Sequence, residues 1–142
     1  MTPMGDKATT TPYGSIDQKF NLCELTKASG ATFVARGTVY HNRKLTNVIS
    51  EAITHKGFSF VETISQCPVN YGKKNGQKTI KDMLDWQKEF FINLTRWKQL
   101  PLGERNNKMP IGILYKDSRR EYIEKYKKII SNAKRVLNNE KN

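Results

Sequence analysis

The chain has 142 residues, a hydrophobic share of 37% and a formal net charge of +12. That length accommodates one domain of ordinary size with a modest core. Two cysteines exclude a disulfide framework and do not follow zinc-ligand spacing, and no apolar run reaches the ~18 residues of a membrane-spanning helix.

Residues 1–14 read as extended and rich in Thr, Pro and Gly, ending in Thr9-Thr10-Thr11-Pro12-Tyr13-Gly14. Pro12 biases Thr11 towards extended geometry. The start lacks the charged-then-apolar order of a signal peptide, so a cytoplasmic protein is expected. As a free terminus this stretch is expected to fray. It suits an internal connection better.

Residues 20–30 predict a short helix. Asn21 is its cap, with Glu24 three residues later, and Phe20 and Leu25 are placed as a hydrophobic staple. Leu22, Leu25 and Ala28 form its stripe, and Gly30 ends it. Cys23 inside this helix reads as a small core hydrophobe. Residues 31–36 (Ala-Thr-Phe-Val-Ala-Arg) predict a buried strand.

A second helix is expected over 43–56, with Leu45, Val48, Ile49, Ala52 and Ile53 on one face, Asn42 as cap and Gly57 as stop. His55 near its C-terminus suits the helix dipole, and His41 has no visible partner. Residues 58–64 predict a second strand. Strand, helix and strand over about 30 residues make a βαβ unit, whose strands should be parallel, buried and joined by a right-handed crossover. The ends at Gly37 and Cys67 should then share one sheet edge.

That edge carries Ser65-Gln66-Cys67-Pro68-Val69-Asn70-Tyr71-Gly72. A thiol just beyond a strand, in a loop set by Pro68 and released by Gly72, stands where open α/β sheets bind ligands. The character changes after it. Residues 1–70 hold 7 Lys/Arg against 5 Asp/Glu, whereas residues 71–142 hold 18 against 8. Such a field either solvates a helix surface or attracts an acidic partner. A long helix is expected over 79–98, with Ile80, Met83, Leu84, Phe90, Phe91, Leu94 and Trp97 inward. Residues 109–115 predict a short extended piece. A last helix opens on a Ser118/Glu121 capping pair and bears the stripe Tyr122, Ile123, Tyr126, Ile129, Ile130, Ala133 and Leu137.

Walker, GxGxxG, GxSxG and HExxH motifs are missing from the sequence, as are zinc-finger and RNA-binding aromatic signatures. Composition and spacing alone therefore stop at a basic α/β domain with an edge cysteine.

Three stretches together resemble one family, in order and spacing. They are Thr9-Thr10-Thr11-Pro12-Tyr13-Gly14, then Cys23-Glu24-Leu25 with Gly30-Ala31-Thr32-Phe33-Val34-Ala35-Arg36-Gly37, then His55-Lys56-Gly57-Phe58-Ser59-Phe60-Val61 with Ser65-Gln66-Cys67-Pro68. They are similar to the β subunit of 2-oxoacid:ferredoxin oxidoreductases. Gly72-Lys73-Lys74-Asn75 and Met83-Leu84-Asp85-Trp86 resemble the C-terminal extension of the 2-oxoglutarate type.

The resemblance implies an α/β fold: residues 1–75 as the C-terminal part of a Rossmann-like, thiamine-diphosphate-binding domain with parallel strands, and residues 76–142 as a helical, basic C-terminal extension. It implies oxidative decarboxylation of a 2-oxoacid, 2-oxoglutarate by type, to acyl-CoA with electrons passing to ferredoxin. The implied cofactors of a complete subunit are thiamine diphosphate, Mg²⁺ and a [4Fe–4S] cluster. The implied partners are an α subunit, ferredoxin, coenzyme A and the 2-oxoacid, with no membrane and no nucleic acid.

By position Cys67 matches the family's last cluster cysteine, with Gln66 where proline is usual. The family's Gly-Asp-Gly…Asn run and its other cluster cysteines have no counterpart in this sequence. The chain is therefore expected to be the C-terminal half of such a subunit, unable alone to hold thiamine diphosphate or to turn over. The other reading is a free-standing basic module that binds nucleic acid or an acidic protein.

Overall fold

A computed structural model describes residues 2–139, and side-chain surroundings as far as Val136. The elements in chain order are α1 (Leu22–Ala28), β1 (Phe33–Thr38), α2 (Asn42–Thr54), β2 (Ser59–Ile64), a 3₁₀ turn (Gly72–Lys74), α3 (Ile80–Phe90), β3 (Phe91–Asn93), α4 (Leu94–Gln99), α5 (Leu102–Arg105), β4 (Met109–Lys116) and α6 (Tyr122–Asn139).

Four strands form one mixed sheet in the order β2-β1-β4-β3. β1 pairs in parallel with β2, from Phe33 opposite Ser59 to Thr38 opposite Ile64. It pairs antiparallel with β4, with a register shift between Val34 and Ala35, and β3 pairs in parallel with β4. The sheet thus crosses position 75, with β1 and β2 before it and β3 and β4 after.

β1 is buried along its whole length, and the two-residue alternation of a strand divides the core. Val34 packs with Cys23 and Ala31, against Phe60, Leu114 and Tyr115. Phe33 and Ala35 pack with Val48, against Leu45, Ala52, Val61 and Ile113. A fully buried side chain such as Phe33 contributes about 1.5–3 kcal/mol over leaving it exposed.

The parallel pairing of the βαβ reading holds, and the ends of β1 and β2 share one edge; β2, expected to be buried, is only half-buried, with Thr63 exposed, because it has a neighbouring strand on one side only. The cap at Asn21 also holds: its side chain accepts the Glu24 N–H at 3.3 Å. Gly30, at φ +94°, adopts the left-handed stop. In α2 the cap is His41 rather than Asn42, whose Oδ1 instead accepts the neighbouring Arg43 N–H. Ile53, expected inward, is exposed.

The single helix expected over 79–98 is two helices separated by β3. Phe91 is buried and Asn93 caps α4 by accepting the Thr95 N–H. Ladder bonds from β4 outweigh helical continuity there. The last helix starts at Tyr122. Ser118 does not cap it, but donates its N–H to the Asp117 carboxylate. The tyrosines and isoleucines of its stripe are exposed rather than packed, and Leu137 lies outside the residues whose side chains are described.

The N-terminal stretch is tied down instead of frayed. The Lys7 N–H donates to Asn75 Oδ1 at 2.7 Å, Asn75 Nδ2 returns a bond to the Lys7 carbonyl at 2.9 Å, and Tyr71 donates its hydroxyl to Asp6. Met1 lies outside the described residues.

Candidate functional site

β2 ends with the Ile64 carbonyl accepting the Val39 N–H at 3.0 Å. The chain then leaves the sheet and turns within a few residues. The Cys67 carbonyl accepts N–H bonds from Tyr71 and Gly72, and the Pro68 carbonyl accepts one from Lys73. Gly72 is buried against Met83, so close that a Cβ there would overlap the Met83 methyl and reach 2.7 Å from the Gln77 carbonyl oxygen. These contacts anchor the loop's C-terminal half and leave Cys67 exposed with a free thiol. Burial, reinforced by the Asp6 carboxylate, pushes the Tyr71 hydroxyl well above its ordinary range, so it stays a hydrogen-bond donor.

Beside this loop opens a cavity of about 630 Å³. β2 and its loop supply Glu62, Thr63, Gln66 and Cys67, and the segment entering α1 supplies Phe20 and Leu22. α3 and the start of β3 supply Trp86, Phe90 and Phe91. Trp86 stacks on Phe90 with centroids 5.1 Å apart and meets Phe91 edge-on at 5.5 Å. The wall is therefore largely apolar, with an aromatic cluster on one side, and Glu62 is the one carboxylate among its lining residues.

That carboxylate belongs to a buried network. Arg36 projects from β1 to the same sheet face as Val34, and Glu62 from β2 to the same face as Phe60. Arg36 Nε donates to Glu62 Oε2 at 2.6 Å, Nη2 donates to Asn21 Oδ1 at 3.1 Å, and Nη1 reaches the Pro110 carbonyl at 3.4 Å. Arg36 is 4% exposed and Glu62 18%. One guanidinium thus joins the α1 cap, β2 and β4. Removing one partner of so buried a pair strands the other.

Cys23 donates its thiol to the same Glu62 oxygen at 3.3 Å. Burial pushes this thiol from 9.0 up to about 12, with Arg36 opposing and Glu62 adding to the rise. Cys23 is therefore a protonated core thiol, as expected, and not a thiolate ligand.

Sequence reasoning located Cys67 but missed Glu62 and Arg36. The signal was there: two charged residues inside apolar strand runs, at register-matched positions of the parallel pair. It also left His41 without a partner. His41 Nδ1 lies 2.8 Å from Thr38 Oγ1, where burial and then Lys44 hold its pKa below the ordinary value. His55 Nε2 lies 2.8 Å from Thr32 Oγ1.

Among the described residues, no group of three or more His, Cys, Asp and Glu comes together to hold a metal ion. A four-iron cluster takes four thiolates or their equivalents, and Mg²⁺ takes oxygen donors in octahedral array. The residues described here do not by themselves fit either group, and Cys67 alone is no cluster site. No described helix is long and apolar enough to cross a membrane.

The family model of the thiamine pyrophosphate enzyme C-terminal TPP binding domain matches residues 1–63. The 2-oxoglutarate synthase subunit KorB of Methanocaldococcus jannaschii is 41% identical over 133 residues, covering 94% of this chain and 49% of the relative. KorB of Archaeoglobus fulgidus is 36% identical over 128 residues, covering 90% and 45%. The solved 2-oxoglutarate:ferredoxin oxidoreductase of Magnetococcus marinus, with 2-oxoglutarate, coenzyme A and succinyl-CoA bound, matches at a TM-score of 0.72. That match covers 93% of this chain and 46% of that one, and at 23% identity it is a likeness of fold. The chain spans about half the length of the curated relatives it matches. Along nearly its whole length the chain is similar in sequence to β subunits of 2-oxoacid:ferredoxin oxidoreductases, with the fold in agreement, and it corresponds to about half of such a subunit.

Proposed function

We propose that this chain is the part of a 2-oxoacid:ferredoxin oxidoreductase β subunit that presents one cluster ligand, Cys67, at the cofactor edge of the sheet. Residues 1–75 belong to the cofactor-binding domain, and residues 76–142 are the extension. The assembled enzyme oxidatively decarboxylates a 2-oxoacid, 2-oxoglutarate by kinship, to the acyl-CoA and passes electrons to ferredoxin. Thiamine diphosphate with Mg²⁺ and a [4Fe–4S] cluster belong to that assembly rather than to this chain alone. An α subunit, coenzyme A and ferredoxin are its partners, in the cytoplasm. The observation that carries the reading is the exposed, free Cys67 beyond a parallel strand pair, in a chain 41% identical to a 2-oxoglutarate synthase subunit.

The test is anaerobic assembly with the polypeptide matching the other half of the relatives, supplied with iron, sulfide, thiamine diphosphate and Mg²⁺. Iron per assembled protein, visible absorbance and 2-oxoglutarate-dependent ferredoxin reduction are the readouts. Cys67→Ala should lower iron content to less than half of the unsubstituted level, while Cys23→Ala keeps it. Equal iron in the Cys67 variant would remove Cys67 from the cluster.

A further inference from the structure

Asn75-Gly76 is the only Asn-Gly pair in the sequence. It closes the turn behind the Cys67 loop, where the Asn75 side chain pairs with the N-terminal segment as a neighbouring strand would. Its Oδ1 accepts the Lys7 N–H at 2.7 Å, and its Nδ2 donates to the Lys7 carbonyl at 2.9 Å. Nδ2 also donates to the Tyr71 carbonyl at 2.9 Å. A primary amide has two N–H donors, so both are used. The next peptide group is bare. Gly76 is exposed, lies at φ +75°, and has nothing within 4 Å of the place a Cβ would take. Among the described residues no backbone acceptor takes its N–H.

An asparagine followed by an unshielded glycine is open to attack on its own side chain. The Gly76 nitrogen loses its proton to solvent and bonds to Asn75 Cγ. The Cγ–Nδ2 bond breaks, and Nδ2 leaves as ammonia with a proton from water. Water then opens the cyclic imide at either carbonyl. One product is aspartate, and the other is isoaspartate, with an extra methylene in the main chain. Water is the only reactant consumed, and nothing is oxidised or reduced. The folded turn blocks the first step. Ring closure needs the Gly76 nitrogen on the Cβ side of Asn75, whereas ψ of 23° sends it to the far side of the Cα–C bond. The bonds to Lys7 and Tyr71 hold Cγ in place as well. Both restraints end only when the turn opens and Asn75 leaves Lys7.

We propose that Asn75-Gly76 is a deamidation site gated by the N-terminal segment, and that its conversion unlatches residues 2–8 from the turn behind Cys67. After conversion the side chain at position 75 has no N–H to donate. The Lys7 and Tyr71 carbonyls then face an anion, so the latch cannot close again. The Tyr71 hydroxyl on Asp6, which joins the same two segments, is left to hold alone. The inference needs no partner, cofactor or cluster, and it stands apart from the proposed function.

The chain is incubated at pH 8, folded and in urea, and conversion is followed by peptide mapping with isoaspartyl methyltransferase labelling. In urea Asn75 should convert ahead of every other asparagine. In the folded chain it should convert about tenfold more slowly, the mark of a site reached through local opening. Tyr71→Phe removes the tie to Asp6 and keeps the Tyr71 carbonyl. It should raise the folded-state rate roughly threefold, the effect of one lost hydrogen bond. The converted fraction, separated by ion exchange, should be cut by trypsin after Lys7 several times faster than the fresh chain. Asn75→Asp reproduces the direct product and should behave alike. If either variant misfolds, the converted fraction of the unsubstituted chain still decides. Equal rates folded and in urea, no preference for Asn75 in urea, an unchanged rate in folded Tyr71→Phe, or unchanged cleavage after Lys7 would each overturn the proposal.

Discussion

Cys23 and Cys67 are the two thiols of the chain, one on the buried face of α1 and one on an open loop. At pH 8 a thiol reagent should label one thiol of the native protein quickly and the second only after denaturation. Cys67→Ser should abolish the fast phase, and prompt labelling of both thiols in the native state would contradict the burial. The sign of the pH effect follows from the raised folded-state pKa. The unfolded chain releases the Cys23 proton near 9.0, whereas the folded chain keeps it to about 12. The folded state thus holds more protons between those values, and stability present below 9 is lost as the pH climbs. Urea midpoints at pH 8, 10 and 11 should fall less steeply in Cys23→Ala than in the unsubstituted chain.

The elements that deliver the loop depend on close approach more than on propensity. β2 releases the chain at Ile64, and the 3₁₀ turn at Gly72–Lys74 brings it back against α3. Gly72 is the pinch point, because the Gln77 carbonyl oxygen is backbone and yields less than the Met83 side chain. Gly72→Ala should cost about 1–3 kcal/mol in urea unfolding, the range of an overpacked site. Gly103→Ala is the control: nothing lies within 4 Å of an added Cβ there. That change, in a short helix, should be neutral or slightly stabilising. Equal losses at both positions would show that the pinch carries no weight.

At the scale of the molecule, α6 contributes little to the packed body. Among the described residues α6 packs extensively on no other element, and the tyrosines and isoleucines of its stripe are open to solvent, with Tyr122 76% and Ile129 62% exposed. Its five Lys/Arg against one Asp/Glu make it a basic, amphipathic arm. Truncation after Glu121 should therefore change the unfolding free energy by no more than about 0.5 kcal/mol. If the arm steers an acidic ferredoxin, the assembled enzyme lacking it should lose the fall in ferredoxin-reduction rate with rising salt. A large loss of stability would mean that α6 is part of the body, and an unchanged salt dependence would place the steering elsewhere.

The sequence by itself determined the local alphabet: the Asn21 cap, the Gly30 stop, the parallel pair around α2, and Cys67 just past its edge. Each rests on periodicity or turn chemistry that acts over a few residues. The tertiary structure decided what needs distant partners. Phe91–Asn93 left the helix for a strand because β4 offered a ladder. Arg36 met Glu62 across the register of two strands. The Cys67 loop followed the same division. Its position was legible from the strand that feeds it, and its anchorage, through Asp6 and Met83, came from segments that only the folded chain brings within reach.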